Sequence, residues 1–380
     1  MNEEQRVSDG KRADADLLRA IAPPLLRWYG ENARAMPWRS NPAPYNVWVS
    51  EIMLQQTRVE AGRAYYLRFV DELPDVEALA NVSDERLMKL WEGLGYYSRA
   101  RNLKKAAGIV MEQYGGRIPE RAAELGALPG IGPYTAGAVA SIAFGEAVPA
   151  VDGNVLRVLA RLLADPSDIG KDRVGRIWTD LLKQVIPTER PGDFNQALME
   201  VGALVCIPGG APRCGSCPLA GFCRARAAGS AGALPVKSPG AARRIRPRTV
   251  LLLVDGATVA LRRRPDKGLL AGLWELPGVD GHLTAREALD LASDWGFDPA
   301  GAEDLPPARH IFSHVEWDLR AFRIRVEPRQ GEGTWRFAGA TELAAEIALP
   351  AAFQSYRPYL FSAGDMDFPR QVVYDGSAED

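Results

Sequence analysis

The chain has 380 residues, 47% apolar and 25% charged, ordinary globular usage that excludes wholesale disorder, a collagen repeat and a coiled-coil rod. At roughly 150 residues per domain, two or three domains are expected. Its 46 basic and 48 acidic side chains leave a net charge of −2, so overall composition does not advertise nucleic acid, whose binding needs only a local excess of Lys and Arg. No apolar run approaches the ~20 residues that cross a bilayer, and the opening MNEEQRVSDGKRADAD is too polar for a signal peptide. A cytoplasmic protein without a membrane partner is expected.

Residues 16–228 read as helix after helix. DADLLRAIAPPLLRWYG, VWVSEIMLQQTRVEAGRAYYLRFV, SDERLMKLWEGL, TAGAVASIAF, VLRVLARLL, RIWTDLLKQVI and FNQALMEVGALV carry apolar residues at three- and four-residue intervals. TAGAVASIAF has almost no polar face and predicts a core helix. From Gly93 to Met111 there is no acid, so Arg99, Arg101, Lys104 and Lys105 form either a phosphate-binding face or a merely solvated one. Residues 229–247, rich in Ala, Gly, Ser, Pro and Arg, predict a linker. Residues 248–365 predict an α+β domain. Val250–Val254 and Thr258–Arg262 flank Asp255-Gly256 as a hairpin, LTAREALDLASDWG is an amphipathic helix ending at Gly296, and VEWDLRAFRIRVE alternates as a strand. Residues 366–380 are expected to form a loose tail.

Four features could carry chemistry. Glu51 shares a helix face with Val47, Trp48 and Leu54; it is either a solvated edge residue or a carboxyl raised in pKa by desolvation, the state a general acid needs. Asp152 precedes an apolar-periodic run and reads as an N-cap, or as a carboxylate facing a developing cation. In Leu128-Pro129-Gly130-Ile131-Gly132 the glycines Gly130 and Gly132 allow a tight turn, leaving free N–H groups at a helix N-terminus that could hold a phosphate; an ordinary helix connection would look the same. All four cysteines, Cys206, Cys214, Cys217 and Cys223, fall within 18 residues. Such crowding reads as metal ligation by four thiolates, with a four-iron cubane or zinc as occupant, or as unliganded thiols.

A helix–hairpin–helix followed some twenty residues later by Asp, with a cysteine cluster beyond, resembles the helix–hairpin–helix DNA glycosylase superfamily. Within it, SEIMLQQT at 50–57, GLGYYSRARNL at 93–103, LPGIGPYTAGAV at 128–139 and VDGNVLRVL at 151–159 resemble the MutY adenine DNA glycosylases, over about residues 20–370. The first cysteine gap is seven residues where that family usually has six, placing the extra residue in IPGGAPR.

The resemblance implies a multidomain architecture: an all-α glycosylase domain with a [4Fe-4S] loop at 206–223, then an α+β Nudix (MutT)-like domain. It implies a monofunctional base-excision enzyme that flips adenine mispaired with 8-oxoguanine or G out of double-stranded DNA, acting as a monomer. Glu51 would protonate the adenine and Asp152 would stabilise the oxocarbenium-like sugar, with Tyr134 and Asn154 supporting them. Arg34, Met36, Trp38 and Gln196 match the neighbourhood of the adenine pocket, while Gln56 and Tyr96 match residues that enter the base stack. Endonuclease III-like glycosylase/lyases carry a lysine where this chain has Tyr134. Aligned on Gly296, the Nudix helix offers only Leu289, Asp290, Ser293 and Asp294, so the motif's arginine and one acid are missing. Phe312, Ser313 and His314 match a Phe-Ser-His loop that reads 8-oxoguanine. A non-catalytic lesion-binding protein is the competing class; it would need neither Glu51 nor Asp152.

Overall fold

The computed structural model describes residues 3–240, 242–327 and 335–361. The expected tail, 366–380, lies outside them. The chain divides into two compact units, one formed by residues up to Asn81 with Asn102–Pro239, the other by Val82–Arg101 with Gly240 onward.

The first unit is helical, with a core in which Leu18, Leu25, Leu159, Phe194 and Leu198 are fully buried. Two expected helices are each split. DADLLRAIAPPLLRWYG divides into Glu3–Ala20 and Ala22–Asn32, because Pro23 and Pro24 supply no N–H and suit the first turn of a new helix. The long segment around Glu51 divides into Pro44–Met53 and Val59–Glu72. Between them Gln56 adopts φ +57°, and Leu54 folds back so closely that a Cβ on Gly62 would sit 2.9 Å from its Cδ2. Apolar spacing alone does not register a one-residue reversal.

The helix Pro133–Phe144 is buried throughout Thr135–Ser141, as its composition predicts. Its backbone approaches a neighbouring segment so tightly that a Cβ on Gly137 would meet the Pro149 carbonyl oxygen at 2.3 Å. Gly153–Leu163 and Pro191–Leu204 complete the helices around the site.

The expected linker, 229–247, is not a free tether. Leu234 is buried and its carbonyl accepts from Arg161 Nε at 2.8 Å. Val236 accepts from the Ile169 N–H at 3.0 Å, and Ser238 donates to Asp168 at 2.6 Å. A buried leucine and main-chain bonds to distant residues anchor a stretch whose composition suggests none. The first strand then starts at Arg244.

The second unit is built on a seven-stranded sheet of β1 (Arg244–Val254), β2 (Thr258–Arg263), β3 (Trp274–Glu275), β4 (Gly278–Asp280), β5 (Pro299–Ile311), β6 (Val315–Val326) and β7 (Trp335–Gly339). Its order is β3-β2-β1-β6-β5, with β4 on β1 and β7 on β2. β1 pairs with β6 in parallel and with β2 as the expected hairpin. Val250 and Leu252 enter one core and Leu251 and Leu253 the other, so β1 reads as a continuous apolar run, as a strand covered on both faces must. The helix Ala285–Asp294 covers one face and starts with a capping box, Thr284 with Glu287.

Val82–Arg101 belongs to this unit, a grouping absent from the contiguous ranges 16–228 and 248–365. The reason is an ionic network. Buried Glu92 accepts from Lys89 Nζ at 2.6 Å, from the Leu349 N–H at 3.1 Å and from Arg357, while Lys89 also donates to the carbonyls of Leu343 and Ile347 at 2.8 and 3.1 Å.

Candidate active site

The first unit contains a cavity of about 730 Å³ lined by Glu51, Tyr134, Asp152 and Asn154, with Arg34, Met36, Trp38, Gln56, Gly132 and Gln196 among its other walls. Ten residues singled out from the sequence thus meet in one space of ligand-pocket size. Glu51 comes from the end of Pro44–Met53, and Tyr134 from the first turn after the Gly130–Gly132 bend. Gly130 itself has φ +79°, and a Cβ there would lie 2.7 Å from that of Asn102.

The Tyr134 hydroxyl donates to Glu51 Oε2 at 2.7 Å. Burial pushes the Glu51 carboxyl up to about 7, only partly opposed by that hydrogen bond, and nearby Asp152 adds to the rise. A carboxyl in that range is still partly protonated near neutral pH and can hand its proton to a bound base. Asp152 is the N-cap of Gly153–Leu163, accepting from the Val155 N–H at 2.7 Å, and its second oxygen accepts from Asn154 Nδ2 at 2.7 Å. Capping and lining the cavity are therefore the same placement: the cap holds the carboxylate still. Burial raises its pKa, and the hydrogen bonds oppose that rise.

The sequence reading missed two charged residues of this wall, Arg39 and Glu200. Arg34 grips Glu200 through Nε and Nη2 at 2.9 and 2.8 Å, and Arg39 donates to Glu200 at 2.8 Å and to Gln196 Oε1 at 2.9 Å. Burial alone would raise the Glu200 pKa, but the two guanidinium groups hold it below the usual range. A signal existed: Gln196 and Glu200 are four apart on one helix face. Trp38 is 7% exposed and packs edge-on against Tyr66 at 5.1 Å, so it serves both core and cavity.

The four cysteines line a separate small cavity beside Arg161, whose Nη1 approaches Cys206 Sγ at 3.3 Å. Burial pushes the Cys217 thiol up to about 11, and the neighbouring sulfurs add to it. Among the described residues no group of three or more His, Cys, Asp or Glu could hold a single metal ion. The longer first gap turns through Gly209 and Gly210, at φ +58° and +95°, and closes where the Arg213 N–H reaches the Val205 carbonyl at 2.9 Å.

In the second unit Tyr96 is 46% exposed with φ +47°, and its hydroxyl lies 2.8 Å from Ser313 Oγ. Phe312, Ser313 and His314 form the tight turn from β5 to β6, closed by the Phe312 N–H to the Val315 carbonyl at 2.8 Å. The Phe312 ring packs edge-on against His310 and Trp317. The acid-free run is no uniform phosphate face. Arg99 lies over the rings of Trp91 and Tyr96 and donates to the Leu94 and Gly95 carbonyls, and Arg101 donates to the Ala271 carbonyl at 3.0 Å. Arg99 is thus spent on the loop that presents Tyr96, and Arg101 on the segment around Ala271.

Residues 49–184 match the HhH-GPD superfamily of base excision DNA repair proteins, and residues 249–357 match the NUDIX domain. The chain is 37% identical to an adenine DNA glycosylase of Rattus norvegicus over 361 residues, spanning 80% of this chain and 70% of the relative. It is 38% identical to that of Homo sapiens over 363 residues, spanning 80% and 66%. A thermostable thymine-DNA glycosylase structure aligns with 58% of this chain and 99% of its own at 26% identity and a TM-score of 0.49. No helix among the described residues is long and apolar enough to cross a membrane. With a helical HhH-GPD unit, a sheet-containing Nudix-like unit and this degree of identity, the chain belongs to the adenine DNA glycosylase family of base excision repair enzymes.

Proposed function

We propose that this enzyme excises adenine opposite 8-oxoguanine or G in double-stranded DNA by acid-assisted hydrolysis of the glycosidic bond. The carrying observation is the half-buried Glu51 carboxyl, pushed by desolvation up to about 7 and hydrogen-bonded by Tyr134 in a cavity shared with Asp152. An adenosine flipped into that cavity meets an acid able to protonate ring nitrogen N7, which turns the base into a leaving group. As the bond breaks, positive charge grows on the sugar, and the Asp152 carboxylate, held by Val155 and Asn154, stabilises it. The Arg34–Glu200–Arg39 lattice gives the pocket a fixed polar wall that requires no reorganisation. Tyr134 has no amine, so it cannot form the imine of a lyase; a monofunctional glycosylase follows.

The cysteine loop suits a [4Fe-4S] cluster held by Cys206, Cys214, Cys217 and Cys223. In a four-iron cluster each thiolate binds its own iron, which asks for sulfurs spread around a cavity and not converged on one ion. When bound, the cluster cross-links the end of the helix Pro191–Leu204 to the loop that follows. In the second unit, Ser313 and Tyr96 offer hydroxyls beside each other where the oxidised purine would be read.

The test is excision of adenine from duplexes with 8-oxoguanine or G opposite it, revealed as alkali-labile sites. Glu51→Gln should bind the mismatched duplex yet excise at least ~10²-fold more slowly, because an amide cannot donate the proton. Near-normal excision by this variant would remove Glu51 from the mechanism.

A further inference from the structure

One charged edge of the second unit plays no part in the excision chemistry. From Val201 to Val254 the sequence has no Asp or Glu, and β1 opens within that stretch as Arg244-Ile245-Arg246-Pro247, all four exposed. Along these residues β1 pairs with β6, in the register Arg244 to Val315 and Arg246 to Trp317, and β4 joins its other side from Arg248. Strand alternation puts Arg244 and Arg246 on the same face as Val315 and Trp317, the face on which Phe312 packs against Trp317 with ring centroids 4.9 Å apart. Glu316, which pairs with Arg309 at 3.8 Å, alternates to the opposite face. The Arg244 N–H reaches the His314 carbonyl at 3.3 Å, so the arginine strand is bonded directly to the Phe312–His314 turn.

We propose that Arg244 and Arg246 grip the phosphate backbone of the DNA strand whose purine faces that turn, a contact indifferent to the identity of the base. Two successive outward residues on a strand stand about 6.6 Å apart, each a guanidinium fork suited to one phosphate. The next in the row, Arg248, is buried and committed to Glu275 at 3.1 Å, which bounds the site at two arginines. The proposal rests on the function given above. Arginine and proline on an open strand edge would also discourage edge-to-edge aggregation, and the experiment separates that role from DNA binding.

The full chain and its Arg244→Ser/Arg246→Ser double variant are titrated with duplexes carrying 8-oxoguanine or G opposite non-hydrolysable 2′-fluoro-2′-deoxyadenosine, at several salt concentrations. Each lost phosphate contact lowers the slope of log Kd against log salt by about 0.9. The expected result is a slope about 1.8 smaller, roughly 5- to 10-fold weaker binding per arginine at 0.1 M salt, and the same loss on both duplexes. Arg244→Lys/Arg246→Lys should keep the slope. Methylphosphonates flanking the purine should reproduce the loss with the unaltered protein, which decides the matter even if the serine variant folds poorly. An unchanged slope, a loss confined to the 8-oxoguanine duplex, or a change in aggregation alone would overturn the proposal. Failure of the unaltered protein to excise adenine would overturn the proposed function separately, since the slopes are measured on an uncleaved duplex.

Discussion

Glu51 shows how much one side chain's surroundings decide. Its folded carboxyl, at about 7, lies above the ordinary value of 4.5, so between those two pH values the folded protein holds a proton that the unfolded chain has lost. Stability contributed by this group is therefore greatest below pH 4.5 and declines as pH rises through about 7, by up to about 3 kcal/mol. The proposed chemistry follows the same titration: single-turnover excision should fall as pH rises through about 7. A pH–rate profile still rising at pH 8, or urea unfolding of Glu51→Gln with the same pH slope as the parent, would contradict this. Ser313 and His314 matter for a different reason. If their turn reads 8-oxoguanine, it does so through the 8-oxo group and the N7 hydrogen, which guanine lacks. Ser313→Ala with His314→Ala should then weaken binding to 8-oxoguanine:A duplexes by roughly 5- to 150-fold, with little change on G:A. Equal losses on both would reduce the turn to a packing contact.

Among the elements, the cysteine loop shares a core with the helix it follows, through buried Leu219 and the half-buried Cys206, Cys217, Phe222 and Cys223. Pro191–Leu204 buries Phe194, Ala197, Leu198 and Val201 in the first core, and the loop then leaves through Cys206. Removing one ligand should therefore disturb the core as well as the loop. Protein purified without oxygen should contain iron and sulfide, and Cys206→Ser should lose iron or soluble yield. Stoichiometric zinc without iron would remove the cluster assignment. The strand β1 combines two jobs along its length: its apolar half is buried on both faces, and its arginine-rich beginning stays in solvent.

At the scale of the molecule, the second unit takes in a piece of chain from within the HhH-GPD match. Glu92 is the joint, because a buried carboxylate there satisfies Lys89, Arg357 and the Leu349 N–H at once. Glu92→Ala removes the carboxylate shared by Lys89, Arg357 and the Leu349 N–H and should cost about 3–5 kcal/mol, measured by urea unfolding of the full chain. It should also loosen Gly93–Tyr97, seen as faster amide exchange there. Unchanged exchange would mean that Arg99, stacked on Trp91 and Tyr96, holds the loop unaided.

The sequence by itself determined the family, the helical and α+β character of the two units, and ten residues of the cavity wall. These are legible because local chemistry carries them: helical spacing, the Gly130–Gly132 turn, the Asp152 cap, the β1–β2 hairpin and four crowded cysteines. Tertiary structure alone decided the ion pairs Arg34–Glu200–Arg39, the anchoring of residues 229–239, and the transfer of Val82–Arg101 to the second unit. Each depends on residues brought together from more than 60 positions apart. The surroundings of Glu51 are tertiary too: whether a glutamate on an apolar helix face is desolvated or solvated depends on what the rest of the chain packs over it, and here burial raises the pKa of its carboxyl.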